Sequence, residues 1–338
     1  MHYIGMDVHV KLTTVCILNE YGSITREFSH KGSWRVLLER LKRLRQELDG
    51  PVHVCYEASC GCGWLYDQLV ALGMKVQVGH PGRLRLIFQS RRKNDRLDAR
   101  KLAKLLYLGE VPLAYVPSQE LRQWRSFVEF RRGFVQDQSR IKHRIRSLLK
   151  DNGVEAPRSL WTKKGLAWLS EAPLPEMAAL ERDILQLRLE QMAVQIREVE
   201  KVLAKKAASV PAVKLLMTIP GVGIRTAEAV VVYMADPHRF RRNRSVGCYF
   251  GMVPSEDSSV KSRFGHITKE GPSLVRWLVT EATWQSIRRD AGMRSYYERI
   301  RRDDPNRKKI ALVATAHHML RAMHAMLRTG ESWRSEAA

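Results

Sequence analysis

His2–Val8 reads as a short strand, and the β-branched, apolar stretch Leu12–Asn19 as a second. Glu20-Tyr21-Gly22-Ser23 has turn composition, and Ile24–Ser29 returns as a third strand, so the three form an antiparallel meander. From Trp34 the period changes: Leu37, Leu38, Leu41 and Leu44 fall on one face of a helix running to Leu48. Val52–Tyr56 is a buried strand ending at Glu57. A Gly-rich turn, a helix over Trp64–Leu72 and a strand over Met74–Val78 follow. Asn94–Leu108 is helical, with Leu97, Leu102, Leu105 and Leu106 expected to face inward.

After the break at Gly109–Pro117 the chain becomes long-helical. Leu121, Trp124, Val128, Phe134, Ile141, Ile145 and Leu148 mark one helix, and a second runs to about Lys206. In the second, Leu189, Met192, Ile196, Val199 and Leu203 recur in steps of three and four. That spacing suits a coiled-coil seam between chains and an intramolecular helical hairpin alike. From about Ser209 the pattern is that of a compact helical domain. Ile219-Pro220-Gly221-Val222-Gly223, followed by Arg225, reads as the turn of a helix-hairpin-helix module. Gly221 and Gly223 permit the tight turn and let backbone N–H groups approach a phosphate. The order strand, strand, strand, helix, strand, helix, strand in the first segment is that of the ribonuclease-H-like α/β fold. The expected division is 1–117 catalytic, 118–208 helical or coiled-coil, 209–330 C-terminal domain, and a tail over 331–338.

Charge sharpens this picture. Against 35 Asp+Glu stand 58 Lys+Arg, a net charge of +23, which points to a polyanionic partner, nucleic acid before membrane. No apolar run approaches the roughly 20 residues that span a bilayer. The start MHYIGMDVHV lacks the features of a signal peptide, so an intracellular protein is expected. Five scattered cysteines, Cys60-Gly-Cys62 among them, argue for reduced thiols over a disulfide framework or a zinc site. The basic stretches Arg239–Arg244 (with Arg241, Arg242 and Arg244) and Arg299–Lys309 read as phosphate contacts. The doublet His317-His318 reads as structural.

In so basic a chain, four acids stand out: Asp7 on the first strand, Glu57 at the end of the fourth, and Asp95 and Asp98 one helical turn apart. Two divalent cations about 4 Å apart need several carboxylates at one point, and Mg2+ prefers oxygen donors, so these acids suffice without His or Cys. Taken alone, Asp95 also fits a helix cap and Asp98 a salt-bridged surface residue. A second candidate group is the Gly/Pro-bounded loop bearing Ser258 and Ser259, followed by Lys261, Arg263 and Lys269. Such a loop is able to present a hydroxyl to a phosphate among cations, and its serines equally fit ordinary turn chemistry.

In order along the chain come Gly5-Met6-Asp7-Val8-His9, Tyr56-Glu57-Ala58, Lys93-Asn94-Asp95-Arg96-Leu97-Asp98-Ala99, Ile219-Pro220-Gly221-Val222-Gly223, Gly251-Met252-Val253-Pro254 and Gly265-His266-Ile267-Thr268-Lys269-Glu270-Gly271. This set resembles the DEDD transposases of the Piv-type insertion-sequence family, the bridge-RNA-guided recombinases, nearly end to end. The resemblance implies a RuvC-like N-terminal domain, a coiled-coil insert and a C-terminal transposase domain. It carries the metal-binding tetrad onto Asp7, Glu57, Asp95 and Asp98, and the nucleophilic serine onto the Ser258-Ser259 pair. Val260 stands where the family commonly has Gly, and Asn94 where it often has Thr. The function implied is site-specific DNA transposition, guided by a structured RNA that pairs with target and donor DNA. It would run with Mg2+, through dimers and a tetrameric synapse, in the cytoplasm of a bacterial or archaeal cell at the nucleoid. The alternatives are a hydrolytic junction-resolving nuclease using the same acids, and a non-catalytic RNA- or DNA-binding protein.

Overall fold

The computed structural model describes residues 1–59, 61–88, 94–257 and 263–335, and divides into two compact units, Met1–Arg122 and Gln123–Ala338.

The first unit is built on a five-stranded sheet of order β3-β2-β1-β4-β5. The strands are β1 (His2–Val8), β2 (Leu12–Leu18), β3 (Ile24–Lys31), β4 (Val52–Glu57) and β5 (Lys75–Gly79). β1, β2 and β3 form the antiparallel meander; β4 joins β1, and β5 joins β4, in parallel. Between them lie α1 (Trp34–Glu47) and α2 (Cys62–Ala71), followed by α3 (Pro81–Ile87) and α4 (Asp95–Leu108).

Strand parity sorts the side chains. Ile4, Met6, Val54 and Tyr56 point to one face and pack with Leu37, Leu41 and Leu44 of α1 and Leu65 and Leu69 of α2. Cys16, Leu18 and Cys55 face α4, where they meet Ala99, Ala103 and Leu102. Gly5 is what brings α4 so close. A Cβ there would overlap the Ala99 carbonyl oxygen and the Ala103 backbone nitrogen. The helix therefore turns its small residues to the sheet, and Leu97, expected inward, stays exposed. Burial pushes the Cys16 and Cys55 thiols up to about 12. Cys16, Cys55, Cys62 and Cys248 are free thiols.

The second unit is mainly helical. α5 (Gln119–Asp151), which begins in the last residues of the first unit, runs antiparallel to α7 (Glu176–Ala208), with α6 (Lys163–Ser170) between them in sequence. Arg131 pairs with Glu200 at 2.6 Å and Arg144 with Glu181 at 2.7 Å, and Ile145 and Leu149 share a core with Leu185. Leu189, Val199 and Leu203 of the expected seam are buried within this one chain. An intramolecular hairpin is therefore what these two helices form. Met177, Leu180, Ile184 and Leu187 lie exposed on another stripe of α7.

Next come α8 (Pro211–Leu216), α9 (Ile224–Met234) and α10 (Asn243–Tyr249), the hairpin of β6 (Pro254–Asp257) and β7 (Arg263–Ile267), then α11 (Ser273–Arg289), α12 (Ala291–Arg301) and α13 (Lys308–Thr329). Beyond α13 the chain folds back: the Trp333 indole donates to Asp290 at 2.9 Å. Among the described residues, no helix is long and apolar enough to cross a membrane.

Candidate functional site

The parallel register of β1 and β4 ends at Met6 opposite Tyr56, so the next residues, Asp7 and Glu57, are neighbours at the same end of the sheet. Since Met6 and Tyr56 point toward α1 and α2, alternation sends Asp7 and Glu57 toward the α4 face. The close seat of α4 over Gly5 puts the first turn of that helix beside this strand end.

Here the carboxylates of Asp7 and Asp95 converge. Together with the imidazole of His9 they form a group whose potential ligand atoms all lie within 4.8 Å of one another. The His9 Nε2 is 3.3 Å from the Asp7 Oδ1. Asp7 and Asp95 are half-buried, while Glu57 is exposed at the strand end and does not enter the group. Asp98 also stays outside it and accepts from Lys101 Nζ at 3.3 Å. The helix cap is Asn94, whose side chain accepts from the Arg96 amide at 3.0 Å; Asp95 is therefore not the cap. Helix geometry still puts Asp95 and Asp98 on one face.

His9 is the residue that sequence reasoning passed over, on the ground that oxygen donors alone serve Mg2+. The signal was present: Asp7 and His9 are two apart at the end of a strand, a spacing that turns both side chains the same way.

Two carboxylates and an imidazole at these separations fit a divalent cation. Ligands sharing an ion at roughly 2.1 Å sit up to about 4.2 Å apart, so small side-chain rotations close the group. Like charges gathered in a half-buried site also favour a cation electrostatically.

In the second unit, Ser258, Ser259 and Lys261 lie outside the described residues, and Arg263 enters only through its backbone in β7. The chain on either side of this hairpin is pinned. Gly251, at φ 64°, lets the backbone of Glu270 approach so closely that a Cβ would overlap it, and the Lys269 amide donates to the Gly251 carbonyl at 3.1 Å. Lys269, Arg241, Arg242 and Arg244 are exposed. Gly221, at φ 93°, turns the chain between α8 and α9 against the backbone of α11, and Gly223 is the N-cap of α9. Arg225 is engaged inside the unit, donating to Glu228 at 2.9 Å and to the Glu200 carbonyl at 3.2 Å.

Two family models match the chain. An IS110-type DEDD transposase model covers residues 4–152, and one described as "Transposase IS116/IS110/IS902 family" covers residues 213–298. The chain belongs to the IS110/IS116-type family of DEDD transposases. It is 30% identical over 239 residues to "Putative transposase y4qE" of Sinorhizobium fredii, an alignment covering 69% of this chain and 58% of that relative. With the transposase for insertion sequence element IS1111A of Coxiella burnetii, identity is 24%, over 99% of this chain and 92% of the relative. The transposase for insertion sequence element IS1328 of Yersinia enterocolitica is 24% identical, over 68% of this chain and 70% of its own length.

Proposed function

We propose that this chain is a site-specific DNA transposase that cuts and rejoins DNA at a cation-dependent acidic site. The observation that carries the reading is the convergence of Asp7 and Asp95, from the first strand and the fourth helix, at one end of the sheet. The sheet order, with its acids at the ends of β1 and β4, supports a RuvC-like first unit. In this reading Asp7, Glu57, Asp95 and Asp98 hold Mg2+. A bound divalent cation lowers the pKa of an attacking hydroxyl and offsets charge gathering at phosphorus.

The chain's own residues do the rest. The hydroxyl of Ser258 or Ser259 attacks the scissile phosphate, the bond to the leaving strand end breaks, and a phosphoserine link conserves the ester energy for rejoining. Lys269, with Lys261 and Arg263, neutralises phosphate charge, while exposed Arg241, Arg242 and Arg244 bind the backbone. The net charge of +23 and the absence of a recognised base-reading module in the sequence agree with sequence choice made by a structured guide RNA. Assembly into dimers and a tetrameric synapse draws support from the exposed apolar stripe Met177, Leu180, Ile184 and Leu187. The division 1–117, 118–208 and 209–330 belongs to the same proposal.

The test is incubation with donor and target DNA, the element's structured RNA and Mg2+, followed by a denaturing gel. DNA retained on protein, and lost when Ser258 and Ser259 are both changed to Ala, is the expected result. Cleavage that survives both changes without an adduct points instead to a hydrolytic resolvase. Nucleic acid bound but never cut, with Asp7→Ala behaving as wild type, leaves only a binding protein.

A further inference from the structure

We propose that His9 is a metal ligand, which makes the site a mixed oxygen–nitrogen centre that takes a first-row transition cation such as Mn2+ more tightly than Mg2+. The inference rests on the reading of Asp7 and Asp95 as a metal site, and adds to it a residue and a metal preference.

Three observations carry it. First, a ring nitrogen of His9 belongs to the same group as the two carboxylates, all within 4.8 Å of one another, and its Nε2 is 3.3 Å from Asp7 Oδ1. Second, the imidazole is 48% exposed, too open for a core-packing histidine. Third, the backbone beneath it is fixed from both sides. The His9 amide donates to the Leu12 carbonyl at 2.9 Å, and the His9 carbonyl accepts from the Trp34 indole at 3.2 Å. Trp34 is itself stacked on Trp64, with ring centroids 6.1 Å apart and planes inclined by 16°. A solvated side chain on so firmly held a backbone has its reach set in advance, as a ligand requires.

The chemistry follows from the donor set. Mg2+ takes oxygen and gives up water reluctantly, so an imidazole adds little to its binding. Mn2+ and the later divalent ions accept imidazole nitrogen, and affinity rises along that series. Two carboxylates and one imidazole therefore shift the balance toward the transition ion.

The experiment uses the full chain. Mn2+ binding is followed by the loss of the free-ion electron paramagnetic resonance signal, Mg2+ by competition, and the bound ion by electron spin-echo modulation from 14N. Wild type is expected to bind Mn2+ at least about tenfold more tightly than Mg2+. It should also show imidazole nitrogen coupling. In His9→Ala the coupling disappears and Mn2+ affinity falls by about tenfold, with Mg2+ affinity changed by less than about threefold. His9→Gln, which keeps a polar side chain at that position, loses the same coupling. Bound Mn2+ without nitrogen coupling, or coupling that persists in both variants, overturns the role of His9. If Asp7→Asn still abolishes binding in that case, the acidic site stands without it. If neither ion binds wild type, the metal site and this inference fail together.

Discussion

In the second unit, the buried carboxylates meet their donors inside the fold. Glu228 accepts from the Trp124 indole at 2.8 Å and from Arg225 at 2.9 Å; Asp290 accepts from the Met293 amide at 2.8 Å and the Trp333 indole at 2.9 Å. In the first unit, Asp7 and Asp95 lie with His9 in one group whose potential ligand atoms are all within 4.8 Å of one another. The contrast separates two uses of the same functional group. A carboxylate surrounded by N–H groups organises the protein around it, and its removal costs stability. Carboxylates gathered together raise the energy of the fold until a cation joins them, and their removal costs chemistry. The surrounding donors do not fully offset burial at Glu228, whose carboxyl is held above its ordinary range by desolvation, against the lowering effect of Trp124 and Arg225.

The largest expected effect comes from dissolving the acid pair. Asp7→Ala or Asp95→Ala should reduce strand cleavage by more than about a hundredfold, as should EDTA on wild type. The melting temperature of each variant should be unchanged or raised; a cooperative loss of structure would put these acids in the same class as Glu228. The converse is expected of Glu228→Ala, which leaves the buried Trp124 indole without its acceptor and Arg225 with the Glu200 carbonyl alone. It should destabilise the protein by about 3–5 kcal/mol in urea unfolding while leaving metal affinity untouched.

Gly5→Ala tests the join between packing and site. Its methyl group meets backbone, which cannot rotate away, so α4 must shift. A cost of about 1–3 kcal/mol is expected. Metal affinity, read by calorimetry, should fall with it. Stability lost with affinity intact would show that Asp95 is positioned by something other than this seat.

The smallest effect is one of pH. Burial holds His324 below its ordinary pKa, against the raising effect of the Pro237 carbonyl; burial, aided by Arg321 and His318, does the same for His317. A histidine depressed in the folded state binds its proton more readily when unfolded. Its contribution is therefore whole above the unfolded value of about 6.5 and is lost as pH falls from there through the folded value. Melting should drop by about 2–5 °C between pH 7.5 and pH 5, and His324→Gln should flatten that slope.

Much of the first unit was legible because its signals are local. β1 was read at its observed bounds, β2 and α1 to within one residue, and the turn before β3 from its composition. α3 was missed: seven residues are too few for helical periodicity to register. The β6–β7 hairpin was read as an open loop because its strands are short. Leu97 was misplaced because a sequence pattern ranks leucine over alanine for burial, whereas the part of α4 seated on Gly5 presents Ala99 and Ala103 and leaves Leu97 exposed. At the site, Asp7 and Asp95 could be singled out by charge against a basic background. For His9 the two-residue spacing from Asp7 was a weaker signal, since its final position also depends on the turn to Leu12 and on Trp34.

The bare α-carbon of Gly5 has a consequence for anyone re-engineering this protein. The spacing of Asp7 and Asp95 is gauged by one main chain lying directly on another, with no side chain as a shim. Exchanges among Ile4, Met6, Val54 and Tyr56, on the opposite side of the sheet, can therefore retune thermal tolerance without recalibrating the acids. Libraries aimed at a hardier enzyme belong on that side.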